Sequence, residues 1–540
     1  MLKTDDVSSL LDLTGSDTPS GEPVRPGYQR NATTNVTGYT SVSADEVRPE
    51  SVQDVVSIIK LARETRSLLY PFSTGLNWGY GSRAPIVDNC IPVDLSRMNQ
   101  ILNADEISLD NPVALIEPGV TQQQLYEFLE RRCPELTFNV TGAGRDTSII
   151  GNALDRGVGY TGPRKDDLYG LEVVTGTGDI LRTGFRRLGD DSPLAHCHPF
   201  GLGPILDGLF FQGNFGIVTS ACFRLYPRRP SEVAVSLALR DTSDLPLFIN
   251  ELARLKREGL LTSVTHIGNR ARTHSSMAYG ITRYLEHECG YTPEAALGET
   301  DKVLNLVAPN EWASLASVSG NRGQVRAALV EIWRRTRKFA RLMVVTDGIL
   351  DFGYAITHRL RSIPFARANA AAIAAMRPLH KLALGVPTDV AIENLLWKFG
   401  HSSKRAAELD RSRCGLLFVN PALPLDGKVV AEVIDGMATV AKQFDHVLYM
   451  TLNVETPTSL VAVINLLFDR SSEDEVARAH RCADALLTFI RSRGLEVYRA
   501  RADMMDEIVA NTPDYWKTVR ELKQVFDPDN IIAPGRYNLP

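Results

Sequence analysis

Nowhere in this chain do about 18 apolar residues run together, the length a helix needs to cross a bilayer. The first residues, Met1 to Ser8, carry no basic stretch followed by an apolar one, so no secretory signal is visible and a cytoplasmic protein without a membrane span is expected. Cysteine is sparse: seven residues, scattered and odd in number, fit reduced thiols better than a disulfide framework. His196, Cys197 and His198 are adjacent, but no second ligand cluster stands at a fitting spacing, and no metal site is expected. Dense basic runs are missing as well. With a formal charge of -5 and only the short patch from Arg334 to Lys338, which reads as a solvated helix face, the chain is not expected to bind nucleic acid. The glycosylation patterns at Asn31, Asn35 and Asn139 have no meaning without export.

What is present is an ordinary globular composition, 44% hydrophobic and 23% charged, on a chain of 540 residues. That length exceeds what one core organises, so two or more domains are expected. Residues 1 to about 45, rich in small polar residues, glycine and proline, read as an irregular lead-in. Ser51 then stands as an N-cap before Val52, Val55, Val56, Ile58, Ile59 and Leu61, which are spaced as one face of a helix. Leu68 to Phe72, Ile91 to Leu95, Ala114 to Pro118, Gly170 to Thr175 and Asp179 to Arg182 read as short strands, and Gln122 to Arg131 as a helix. The mixture predicts an α+β protein.

Between Tyr70 and Gly81 lie three glycines with Ser73, Thr74 and Asn77, directly after a strand candidate. Glycine reaches positive φ and lets bare backbone come close, so consecutive amides in such a loop can form an anion nest. Small residues gather again around Ser148 to Asn152 and Arg156 to Tyr160, and in Phe200 to Pro204 and Phe211 to Thr219. Any of these can be a plain tight turn. None has the strand, glycine and helix form of a Rossmann site, nor a Walker Gly-Lys-Thr, so a bound nucleotide would be held in another way.

In this company the chain resembles the vanillyl-alcohol oxidase and p-cresol methylhydroxylase family of flavoenzymes. The resemblance rests on Pro49 to Val55, Asn77 to Gly81, Val93 to Ile101, Ile116 to Thr121, Gly151 to Thr161, Leu171 to Val174, Leu181 to Gly184, Asp207 to Thr219, Val497 to Arg499 and Phe526 to Arg536, in family order. It implies a two-domain flavoprotein: an FAD-binding domain from residues 1–232 and 497–540, and an antiparallel-sheet cap or substrate domain from 233–496. Strand candidates at Val233 to Leu239, Gly415 to Val419 and Ala462 to Phe468 suit such a cap, which would keep water from a reactive ring. The FAD contacts implied are Pro71, Ser73, Thr74, Gly75, Leu76 and Asn77 for the diphosphate, with Ser148, Gly151, Asn152, Gly216, Ile217, Val218 and Arg536. Tyr80, Tyr498 and Arg499 resemble the family's phenol-binding set. Two hydroxyls and a guanidinium aimed at one oxygen would stabilise a phenolate and help hydride leave the carbon attached at the para position towards flavin N5, giving a quinone methide. Spacing alone equally allows Tyr498 and Arg499 to end a strand and pair with an acid.

The chain also departs from the family. Where a cap histidine usually tethers the flavin this chain has Leu416, so non-covalent FAD is expected, with Cys414 the outside candidate for a link. Asp146 matches the family's acid near N5 only if its loop bulges, and Val461 and Ala462 replace a cap histidine pair. The implied activity is FAD-dependent oxidation of a para-substituted phenol, a small-molecule substrate of 4-alkylphenol or 4-hydroxybenzyl-alcohol type. Molecular oxygen or an electron-accepting protein would take the electrons, and a homo-oligomer, a dimer, is expected. The alternatives are an oxidase of a non-phenolic alcohol or sugar, and a non-catalytic flavin-binding subunit.

Overall fold

In the computed structural model, residues 31–399 and 406–538 are described. The helix Val52–Thr65 begins where Ser51 accepts the Asp54 amide and ends as Arg66 turns left-handed; it buries Val55, Val56, Ile58 and Ile59. They pack against the parallel strand pair Leu69–Phe72 and Ile91–Asp94. A second, four-stranded antiparallel sheet places Gly216–Arg224 between Val113–Ile116 and Leu168–Thr175, with Ile180–Arg182 at one edge. The last segment of the chain returns to this region, where Ile532 bridges to Leu69 and the Leu69 amide donates to Ile531 at 2.7 Å. The expected irregular lead-in lies largely outside the described residues, and its described end is a correction: Asn31–Thr34 and Thr40–Ser43 pair as antiparallel strands.

An eight-stranded sheet takes all its strands from residues 231–469, in the order Ala340–Val345, Ser231–Leu239, Trp312–Gly320, Thr265–Asn269, Tyr449–Val454, Ser459–Asp469 and Cys414–Phe418, with Ala422–Pro424 also on Ser459–Asp469. Every pairing is antiparallel. Side chains alternate between the faces of a strand. Ile267, Leu452, Val454, Ala462, Ile464 and Leu466 point into the largest core, together with the helices Leu245–Arg257, Gly427–Lys442 and Glu473–Ser492. The register puts His266 opposite Asn453, Asn453 opposite Val461, and Asn465 opposite Phe418, all on the other face. That face therefore carries polar side chains among apolar ones, and it looks towards the glycine loop. A separate core joins the helices Arg270–Cys289, Pro293–Val307 and Pro364–Ala383. Among the described residues no helix is long and apolar enough to cross a membrane. The basic patch falls at the end of the helix Arg322–Thr336, where Arg335 is not merely solvated but ion-paired to Glu251 and Glu258.

Candidate active site

The loop after the strand Leu69–Phe72 forms one wall of a cleft with about 1040 Å³ of empty space, part of it open to solvent. Among the described residues, the backbone amides of Ser73, Thr74, Gly75, Leu76 and Asn77 donate to no protein carbonyl. A run of amides facing a cleft without protein acceptors is an anion nest in the physical sense. The facing wall is the short helix Ile149–Leu154, capped by Ser148. It comes so close that a Cβ on Gly151 would lie 2.2 Å from the Ser73 hydroxyl. The cleft is lined by Pro71, Ser73 to Asn77, Ser148, Gly151, Asn152, Gly216, Ile217, Val218 and Arg536, so all the cofactor positions expected from the sequence come together.

At one end of the cleft Asp155 joins distant segments. Its carboxylate takes Arg499, the Asn77 side-chain amide at 2.9 Å and Arg536 at 2.9 Å. Burial alone would raise its pKa, but the two guanidiniums outweigh burial and hold it below the ordinary carboxylate value. Burial likewise opposes the charge on Arg499, yet Asp155, Tyr80 and Tyr498 raise its pKa. The pairing with an acid that spacing allowed is thus real. It does not use up the guanidinium, whose carbon stands 4.1 Å over the centre of the Tyr80 ring and which also bonds the Tyr498 hydroxyl.

Tyr80 is positioned by Gly79, whose φ is +73° and whose missing Cβ leaves room for Phe418; a Cβ there would lie 2.3 Å from the ring. The Tyr80 and Phe418 rings stack at 4.9 Å. The Tyr80 hydroxyl accepts from the Asn420 amide at 2.6 Å and is hydrogen-bonded to Tyr498. Burial, then the neighbouring Tyr498, pushes the Tyr80 phenol well above its usual value, so it stays a neutral donor.

Asp146 is exposed and does not line this cleft. Cys414 lies in an apolar cluster with Trp78, Leu396 and Leu416, and burial pushes its thiol up to about 12, which leaves almost no thiolate. Four groups escape a reading of spacing. Asn420 precedes Pro421 at a strand end. Glu455 follows the strand Tyr449–Val454, and burial raises its carboxyl to about 8 within electrostatic reach of Tyr498. His266 bonds Asn453 through Nδ1 at 2.8 Å and meets the Tyr160 ring at 5.0 Å. Asp155 itself sits inside the Gly151 to Thr161 block, and only its fold partners reveal it.

Residues 45–184 match the family model described as FAD binding domain. Over 516 residues, 91% of this chain and 90% of the relative, the sequence is 30% identical to 1'-carboxy-chondrochloren decarboxylase of Chondromyces crocatus. It is 27% identical over 499 residues to the 4-cresol dehydrogenase [hydroxylating] flavoprotein subunit of Pseudomonas putida, covering 91% of this chain and 87% of that one. The fold is similar to 4-ethylphenol oxidase from Gulosibacter chungangensis in its isoeugenol complex, with a TM-score of 0.75 at 22% identity over 92% of this chain and 90% of that one.

Proposed function

The chain belongs to the vanillyl-alcohol oxidase and p-cresol methylhydroxylase family of FAD-dependent oxidoreductases, and from that premise we propose that it oxidises a para-substituted phenol, held by Tyr80, Tyr498 and Arg499. FAD suits the cleft: the amides from Ser73 to Asn77 lack protein acceptors, as a diphosphate requires, and Gly151 leaves the space that a Cβ would fill. Pro71, Ser148, Asn152, Gly216, Ile217, Val218 and Arg536 complete its walls. When bound, FAD supplies a two-electron acceptor for hydride. Of the described residues, those up to 232 and from 497 on serve it, and those between form the cover.

The observation that carries the reading is the meeting of Tyr80, Tyr498 and Arg499 in one buried cluster. Tyr80 stays a neutral donor there, Tyr498 stands half-buried beside it and hydrogen-bonded to it, and Arg499 contributes fixed charge. A phenolic oxygen placed among them is stabilised as phenolate, which pushes electron density to the para carbon as hydride leaves. The substrate loses a hydride from the side-chain carbon attached at that position and a proton from oxygen, and becomes a quinone methide. Glu455, neutral near pH 7, lies within electrostatic reach of Tyr498 with a proton to exchange. With Leu416 in the tethering position and the Cys414 thiol protonated, the FAD is held without a covalent link.

An anaerobic panel of 4-alkylphenols tests this. The yellow holoenzyme is expected to bleach with them, and Tyr498→Phe to bleach more slowly by about two orders of magnitude. No bleaching by phenols, together with turnover of a simple alcohol, overturns the phenol reading. Oxygen uptake on re-aeration identifies oxygen as acceptor; its absence points to an electron-accepting protein. Acid-precipitated protein that keeps its colour overturns non-covalent FAD.

A further inference from the structure

On the polar face of the large sheet, away from the phenol cluster, Arg272 stands in the first turn of the helix Arg270–Cys289. Asn269 fixes that turn: its side chain accepts the Arg272 amide at 3.0 Å and the Met450 amide at 3.1 Å, and donates to the Leu448 carbonyl at 2.9 Å. The Arg272 stem passes over Gly268, where a Cβ would sit 3.8 Å from Arg272 Cγ. Its neighbour Arg270 has Glu311 and the Pro309 carbonyl as partners. Arg272 differs. Among the described residues no carboxylate pairs with its guanidinium and no side-chain hydrogen bond holds it; the group that answers its charge electrostatically is the Tyr160 phenol.

A cation here is unfavourable on two independent grounds. Burial pulls the guanidinium below its ordinary value, and the start of a helix is the positive end of its dipole, with no acidic residue in this first turn to offset it. Yet Arg272 keeps part of its surface accessible. Beside it, His266 donates through Nδ1 to the Asn453 carbonyl oxygen, and its Nε2 is buried without a partner. Burial, and then Arg272 and Lys256, depress the ring's basicity, so the histidine adds no charge. Potential here is positive and unanswered.

We propose that Arg272 binds a carboxylate carried by the substrate, with the Tyr160 hydroxyl beside it, so that the substrate class is a phenol whose para side chain ends in a carboxylate. The inference rests on the phenol reading for the other end of the molecule. The span is suitable: Glu455, within electrostatic reach of Tyr498, lies two residues from Asn453, about 7 Å along extended chain, and His266 lies one strand further, about 5 Å across. Glu455 lies along this path and, being neutral near pH 7, does not repel an anionic tail.

The test is anaerobic titration of the holoenzyme, read as perturbation of the flavin absorption, with 3-(4-hydroxyphenyl)propanoate, 4-propylphenol and 3-phenylpropanoate. Wild type is expected to bind the carboxylated phenol at least about tenfold more tightly than 4-propylphenol. Arg272→Gln is expected to erase that preference while the Kd of 4-propylphenol stays within about twofold. Equal weakening of both ligands, or an unchanged ratio, overturns the proposal. Should the glutamine variant lose FAD, Arg272→Lys decides by the same ratio: keeping a cation, it retains part of the preference, and a lysine variant indifferent to the carboxylate with FAD bound sinks the idea. If no phenol bleaches the flavin but 3-phenylpropanoate still binds in an Arg272-dependent way, the phenol reading fails and the carboxylate site stands.

Discussion

Asp155 is a single carboxylate that neutralises two deeply placed guanidiniums, and its removal leaves both without their counter-charge. Asp155→Asn is expected to cost about 3–5 kcal/mol in urea unfolding, the usual penalty for breaking a buried ion pair from one side. The pH dependence follows from its depressed pKa. Below about pH 4, where a free Asp protonates, the unfolded chain binds more protons than the native one, so stability is complete above that pH and is lost as pH falls towards the lower native value. The variant should lack that acid-side slope. Glu455 has the opposite sign. Its native value, raised to about 8 from 4.5, means the native state holds the extra proton between these values, so stability declines as pH rises through that window. Glu455→Gln is expected to flatten the decline. In turnover, the same variant should lose the limb of the kcat profile near pH 8; a profile identical to wild type removes Glu455 from the proton chemistry.

At the scale of elements, the joint between glycine loop and large sheet matters most. The strand Cys414–Phe418 sends Leu416 and Phe418 against the loop, the Leu416 amide donates to Val36 at 2.7 Å, and Tyr80 stacks on Phe418. Gly79→Ala must move either the Phe418 ring or the loop, and its positive φ adds strain. The variant is expected to keep FAD, because the nest from Ser73 to Asn77 lies upstream, yet to lose phenol oxidation by at least about a hundredfold. Anaerobic stopped-flow on the yellow variant measures this; wild-type rates would remove the joint from the mechanism. The elements themselves are legible in spacing. Val52–Thr65 has its cap at Ser51 and its apolar stripe in place, and Cys414–Phe418 is a short apolar run buried over its first four residues, as a covered strand should be. The glycine loop is legible too, as a chemistry of amides. What spacing does not carry is pairing across long separations. Asp155 meets Arg499 across 344 residues, and the strand register that sets His266 opposite Asn453 joins positions 187 apart. For Asp146 the sequence offers a carboxylate near the right glycines but does not say which way its side chain faces, and it is exposed outside the cleft lining.

For the whole molecule, the consequence is that the cofactor cleft is complete only when the last segment has returned. The helix Pro513–Phe526 brings Lys523 into the interior, where it donates to the carbonyls of Asn214 and Ile532 and pairs with Asp527 at 2.7 Å. Asp527 in turn accepts the amides of Ile531 and Ile532, which align the bridge to Leu69, and Arg536 then reaches Asp155 and the Tyr70 hydroxyl. The large sheet has no share in this, since its strands end at Asp469. Removing residues 527–540 is therefore expected to leave a chain with the sheet and its helices folded but without FAD. Such non-local closure is slow and late in folding. A ligand that binds only the closed state stabilises it by about 2.7 kcal/mol at one hundred times its Kd. Full-length apoprotein should thus rise in Tm with added FAD, whereas the truncated chain should show one transition that FAD does not move. Retention of yellow colour through gel filtration of the truncated chain would contradict the argument, for it would mean that the loop and the short helix hold the cofactor without the returning segment.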